Sequence, residues 1–135
     1  MFLLDTVTIS QALSRRANPG AMAWIGRQQH SDLYLSVVSI AEIKRGALQI
    51  KGRDPNFSDR IEEWLTTTIS AFGDRILPIS TPVARLWGTL QAKAGHGSED
   101  IMIAATALDR GLTIVTQNTR DFATLGVKIE NPFSR

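Results

Sequence analysis

The chain contains no cysteine. That excludes disulfides and thiolate metal sites, and it suits a reducing cytoplasm, the expected location. It has no run near the ~18 apolar residues of a membrane span, so no membrane contact is expected. The apolar opening is broken at Asp5 and no basic segment precedes it, so it does not read as a signal peptide. Neither charge dominates: 15 Lys and Arg face 13 Asp and Glu, for a net +2. Such a balance is compatible with nucleic acid without pointing to it. Aromatics are 7% of the chain and do not interleave with basic residues, which argues against a stacking platform for single strands. Only two histidines occur; His30 reads as a surface residue and His96, between two glycines, as a loop residue. What is present is ordinary globular composition, 43% hydrophobic over 135 residues. One domain over residues 1–135 is expected, burying roughly two thirds of its unfolded surface.

The chain opens on Met1-Phe2-Leu3-Leu4 and then Asp5. A short, wholly apolar run is the pattern of a strand buried on both faces. Similar strands are expected at 33–38, 75–79 and 112–116, with an edge strand at 127–129. Helical patterns fill the gaps, at 6–13, 19–28, from Ser39, over a long segment that follows the 51–56 loop and carries Ile61 to Phe72, from Thr81, and at 99–110. Asn18-Pro19 gives an N-cap with Pro at the first helical position. Ser98 is a second expected N-cap, and Gly111 stands where a helix ends. Alternating strands and helices predict an α/β fold, a three-layer α/β/α sandwich around a mostly parallel sheet of four to five strands.

Acids recur at comparable places in that pattern. Asp5 follows the first strand, Glu42 the second, Asp100 begins a helix, and Asn118 and Asp121 follow the fourth strand. Each has a plain structural account. Acids are favoured in the first turn of a helix. Ser39 with Glu42 has capping-box spacing, and Asn118 with Asp121 resembles an N-cap and its first turn. Their joint placement says more, because parallel strands put their C-terminal ends on one side of the sheet. Carboxylates ~4 Å apart repel by about 1–4 kcal/mol per pair, so a cluster favours protonation or a bound cation. Hard oxygen ligands select Mg²⁺ or Mn²⁺, and such an ion with open positions can bind a phosphate and activate water. From the residues alone, the expectation is metal-dependent phosphoryl chemistry.

Four blocks carry a resemblance: Leu3-Leu4-Asp5-Thr6 with Ser10; Ser39-Ile40-Ala41-Glu42-Ile43-Lys44-Arg45-Gly46; Asp100 to Ala107; and Thr116-Gln117-Asn118-Thr119-Arg120-Asp121-Phe122. In order, and across nearly the whole chain, they resemble the PIN-domain ribonucleases, specifically the VapC toxins of toxin–antitoxin pairs. The resemblance implies a Mg²⁺- or Mn²⁺-dependent endoribonuclease in which metal-activated water attacks a phosphodiester. Asp5, Glu42, Asp100 and Asp121 would be the catalytic and metal-binding acids. Asn118 would complete the site, and Thr6 or Thr116 would orient Asp5 or a bound water. It further implies structured RNA as substrate, tRNA foremost, a VapB-type antitoxin whose tail fills the groove, a homodimer, and a higher assembly with the antitoxin. The chain departs from the family at Val7, often Asn, and carries Asn118 where some relatives have Asp, which counts against a fully occupied two-metal site.

RNA contact needs cations beside the acids. Lys44, Arg45 and Arg120 are the first choices, with Arg15, Arg16 and Lys93 behind them; Lys51 and Arg53 read as a solvated surface. The competing reading is a catalytically silent module of the same fold that binds protein or DNA. A phosphatase with an Asp nucleophile usually carries a second Asp two residues on, and Val7 stands there instead.

Overall fold

The computed structural model describes residues 1–95 and 97–134; the reading of His96 lies outside them. Five strands form one sheet in the order β3-β2-β1-β4-β5, every pairing parallel. They are β1 (Phe2–Leu4), β2 (Leu33–Ser36), β3 (Ile76–Leu77), β4 (Thr113–Val115) and β5 (Ile129–Glu130). The helices are α1 (Thr6–Ile9), α2 (Pro19–Arg27), α3 (Val37–Ile50), α4 (Pro55–Phe72), α5 (Thr81–Ala94), α6 (Glu99–Arg110) and α7 (Thr119–Ala123). The expected α/β sandwich is thus present, and the sheet is wholly rather than mostly parallel.

Successive side chains of a strand point to opposite faces, and β1 shows what this does. Leu3 and Leu4 are both fully buried, but in different cores. Leu3 packs with Leu77, Val83, Leu90 and Ile101, under α5 and α6. Leu4 packs with Trp24, Ile43, Ile61 and Leu65, under α2, α3 and α4. Ile114 and Val115 of β4 divide between the two cores in the same way. That is why these strands read as unbroken apolar runs. Helix α6 is apolar almost all round, with Ile101, Ile103, Ala104, Ala105 and Ala107 fully buried. No described helix is long and apolar enough to cross a membrane.

Three element boundaries differ from the sequence reading. Strand β2 stops at Ser36 and α3 begins at Val37, with the Ser36 side chain accepting from Val38 N at 3.0 Å. The β-branched pair Val37-Val38 suggested strand, but it forms the first turn of a capped helix. The first helical segment also narrows after Ile9, continuing as a 3₁₀ turn over Ser10–Leu13. At the other end, the edge strand lies two residues later than expected, at Ile129–Glu130.

The chain runs outward from β1 through β2 to β3, then returns to the other side of β1 as β4 and β5. The connection therefore changes direction between β1 and β4. In open parallel sheets the ligand crevice lies at such a point, beyond the C-terminal strand ends. Asp5 and Thr116 are the residues that leave those two strands.

Candidate active site

Asp5 is 5% exposed and caps α1. Its backbone N–H extends the sheet by donating to Val115 O at 3.1 Å. One carboxylate oxygen, Oδ1, accepts from Thr8 N at 2.9 Å and from Thr8 Oγ1 at 2.6 Å. Thr8 Oγ1 also lies 2.9 Å from Val115 O, so this fully buried hydroxyl ties the carboxylate to β4. Among the described residues, Oδ2 of Asp5 accepts no hydrogen bond. With Val7, Gln117 and Asn118, Asp5 lines a cleft of about 280 Å³.

Glu42 does not belong to a capping box. The cap of α3 is Ser36, so Glu42 sits in the second turn and its carboxylate is released for other contacts. Its Oε1 accepts from Thr6 Oγ1 at 2.7 Å, and Thr6 Oγ1 lies 2.8 Å from Ser39 Oγ. A hydroxyl has one proton, so Ser39 donates to Thr6 and Thr6 to Glu42. Burial, then the neighbouring Glu99 and Asp100 carboxylates, push the Glu42 carboxyl up from an ordinary 4.5 to about 7, against the Thr6 hydrogen bond. The Glu99 carboxyl is itself held low, chiefly by Arg45. Arg45 grips Glu99 through Nη1 at 2.9 Å and Nη2 at 3.4 Å, joining α3 to the first turn of α6. Glu42 also lines a second, mostly apolar cleft of about 400 Å³ with Thr6, Ser10, Leu13, Ser14 and Phe57.

Asp100 stands in the first turn of α6. Burial raises its carboxyl, and the charges of Asp5 and Asp121 raise it further. Asn118 Nδ2 lies 2.8 Å from Asp121 Oδ2 and 3.4 Å from Asp100 Oδ2, offering one proton to each carboxylate. Asn118 occupies the N-cap position of α7, but its side chain makes no capping bond. Its backbone N–H donates to the buried Thr116 Oγ1 at 2.9 Å instead. Ser98 likewise stands at the N-cap of α6 without a capping bond.

The structure thus brings Asp5, Asp100, Asp121, Asn118, Glu42, Thr6 and Thr116 to the C-terminal edge of the sheet. Neither Thr6 nor Thr116 bonds to Asp5; Thr8 does. Thr8 and Glu99 are the site residues that the sequence reading passed over. The spacing Asp5-x-x-Thr8 is a capping signal and could have exposed Thr8. Glu99 shared the helix-start signal of Asp100, but nothing local pointed to its partner Arg45 on α3. Among the described residues, no cation lies within ion-pairing distance of Asp5, Asp100 or Asp121.

These donors suit a hard divalent ion in kind. All are oxygens, they are unpaired by cations, and the raised Asp100 carboxyl records the repulsion an ion would relieve. As placed, no three His, Cys, Asp or Glu side chains among the described residues are gathered closely enough to hold one. The Asn118 amide bridges Asp100 and Asp121 in its stead.

Comparison with known proteins gives the same frame. The family model described as PIN domain matches residues 2–128. Toxin FitB of Neisseria gonorrhoeae is 36% identical over 98% of this chain and 99% of its own length. The VapC ribonuclease Y4jK of Sinorhizobium fredii is 32% identical over 98% of each chain. The crystal structure of FitAcB from Neisseria gonorrhoeae superposes with a TM-score of 0.87 at 31% identity, covering 98% of both chains. Other structural neighbours are VapBC toxin–antitoxin complexes, some solved with DNA. With almost its full length matched in sequence and in fold, the chain belongs to the PIN-domain family.

Proposed function

We propose that the protein is a metal-dependent endoribonuclease toxin that hydrolyses phosphodiester bonds in structured RNA, tRNA foremost. The observation that carries this is the gathering of Asp5, Asp100 and Asp121 at one sheet edge with no paired cation among the described residues, where burial and then the charges of Asp5 and Asp121 raise the Asp100 carboxyl. The relatives named VapC ribonuclease and toxin FitB support the reaction class. Asp5, Asp100, Asp121 and Glu42 would hold Mg²⁺ or Mn²⁺, which when bound supplies positive charge to a phosphate oxygen and lowers the pKa of water. The protein's own groups do the rest. Thr8 fixes Asp5 Oδ1 and leaves Oδ2 open toward the cleft side of β1. Asn118 holds Asp100 and Asp121 at a set spacing. Ser39 and Thr6 orient the Glu42 carboxylate through a chain of two hydroxyls. Arg120, exposed beside Asp121, offers a cation to the RNA backbone. The neighbours solved as toxin–antitoxin complexes support a setting in which a VapB-type antitoxin restrains this chain; a homodimer acting in the cytoplasm completes the reading.

The test is direct. Purified protein incubated with total tRNA across a Mg²⁺ and Mn²⁺ titration is expected to leave cut ends that map to defined positions. Asp5→Asn and Asp100→Asn are expected to abolish cutting while the fold survives. A second reading, a silent module that binds protein or DNA, is favoured by the absence of three gathered ligands among the described residues. Intact tRNA at every metal concentration would select that reading.

A further inference from the structure

The chain's cations differ in what they already touch. Lys44 Nζ lies 2.6 Å from Glu62, and Arg45 is held by Glu99. Arg75 is engaged by the backbone: its Nη1 donates to Leu33 O at 2.7 Å and to His30 O, and its Nη2 to Ala71 O at 3.1 Å. Arg60 lies over the Phe57 ring, 5.0 Å from its centroid. Arg15 and Arg16, like Arg120 and several other exposed cations, are not engaged in this way. Both are exposed, and among the described residues neither side chain makes an ion pair, a hydrogen bond or a ring contact.

Their position is specific. Ser14 lines the larger cleft together with Thr6, Ser10 and Glu42, and Arg15 is the next residue. The backbone N–H of Arg16 donates to Ser14 Oγ at 3.1 Å. The segment is pinned from behind. Asn18 N donates to Gln11 Oε1 at 2.8 Å, and Asn18 Oδ1 accepts from Ala21 N and Ser134 N, each at 3.0 Å. Asn18 Nδ2 donates to Ser134 O at 2.8 Å, so the C-terminal tail clasps the end of this short connection. Arg15 and Arg16 therefore follow directly on a residue that lines the cleft holding Glu42, in a segment whose end is tied down.

Resting on the nuclease reading, we propose that Arg15 and Arg16 are the residues that grip the RNA phosphates and draw the strand across this cleft toward the acids. The acids repel a polyanion, so entry needs cations close by. Lys44 and Arg45 serve less well. Releasing either from its exposed partner costs little, yet it leaves a carboxylate beside the incoming phosphate and cancels much of the attraction. Arg15 and Arg16 have no such partner, and a guanidinium matches a phosphate with two parallel hydrogen bonds. Because the segment is already held, less freedom is lost on binding.

The experiment measures binding of a labelled single-stranded oligoribonucleotide by anisotropy over a salt series, in EDTA so that no strand is cut. Wild type is compared with Arg15→Ala/Arg16→Ala and with Lys51→Ala/Arg53→Ala, which removes the same charge beyond the far end of α3. The first double variant is expected to bind several-fold more weakly. Its log–log salt slope should be shallower by about 0.7 for each lost phosphate contact. In cleavage of tRNA its KM should rise with kcat largely kept. The control pair should stay near wild type. Equal losses in both double variants, or none in either, would overturn the assignment while leaving the nuclease reading intact. Wild-type protein that neither binds nor cuts RNA would overturn both.

Discussion

Single side chains at this site work through a second residue more often than alone. The Thr8 hydroxyl touches both the Asp5 carboxylate and the Val115 carbonyl in a fully buried place. Replacing it with the isosteric Val keeps the shape but removes the one hydroxyl proton the two buried oxygens share, leaving each with a backbone N–H alone. Thr8→Val is expected to cost about 1–3 kcal/mol in urea unfolding, with Thr8→Ser recovering most of it. A loss inside the error of the fit would show that Thr8 does not fix Asp5. Glu42 makes a pH-dependent contribution whose sign follows from its raised carboxyl. Folded protein keeps the Glu42 proton up to about 7, and the unfolded chain releases it near 4.5. The stabilising contribution is therefore complete below the lower value and is lost as pH rises through the upper one. Raised Asp100 adds in the same direction. In EDTA, the melting temperature is expected to fall as pH climbs through this window, and Glu42→Gln should flatten that fall. An unchanged profile in the variant would assign the effect elsewhere.

At the scale of elements, what was legible followed from short-range chemistry. The apolar run of β1, the Asn18-Pro19 start of α2 and Gly111 at the end of α6 each act on their own neighbourhood, and each stands where the sequence placed it. Misplaced features depended on partners remote in the chain. Val37 and Val38 have strand-forming side chains, but Ser36 captures Val38 N and starts α3 early. The plain capping-box account of Ser39 with Glu42 fails for the same reason, since both turn to Thr6 on α1. The acids themselves could be picked out because each lies next to a strand end or helix start. Glu99 carries the same helix-start signal, but its partner Arg45 reaches it from α3, so its role could not be read locally. The tail clasp on α2 is a further long-range feature, and it explains Gly20. A Cβ there would come 2.6 Å from Pro132 O and 2.7 Å from Ser134 N. Gly20→Ala should release the tail, made visible as faster carboxypeptidase trimming. In protein truncated after Glu130 the same change should stabilise α2 by up to ~1 kcal/mol, the helix preference of Ala over Gly. Destabilisation in both backgrounds would show that the clash is not with the tail.

For the whole molecule, the site sets one function against another. The fold draws acids from β1, α6 and α7 to one sheet edge and supplies no cation to Asp5, Asp100 or Asp121 among the described residues. Two cores, one on each face of the sheet, hold that edge rigid, so the carboxylates cannot relax far apart. Asp100 carries the largest share of the conflict, being half-buried and facing the charges of both Asp5 and Asp121. Asp100→Asn removes the charge and keeps an oxygen that can accept from Asn118 Nδ2. In EDTA the variant is expected to gain ~1 kcal/mol from relieved repulsion, a rise of a few degrees in melting temperature. Mg²⁺ should reverse the ranking. A ligand that binds only the folded state stabilises it in proportion to the logarithm of its concentration over Kd, so wild type should climb through a Mg²⁺ titration while Asp100→Asn stays nearly flat. Calorimetric scans of both proteins, with EDTA and across the titration, measure the crossing. If Asp100→Asn melts below wild type without metal, the acids are not in conflict at this edge, and the charge argument for a bound cation loses its basis.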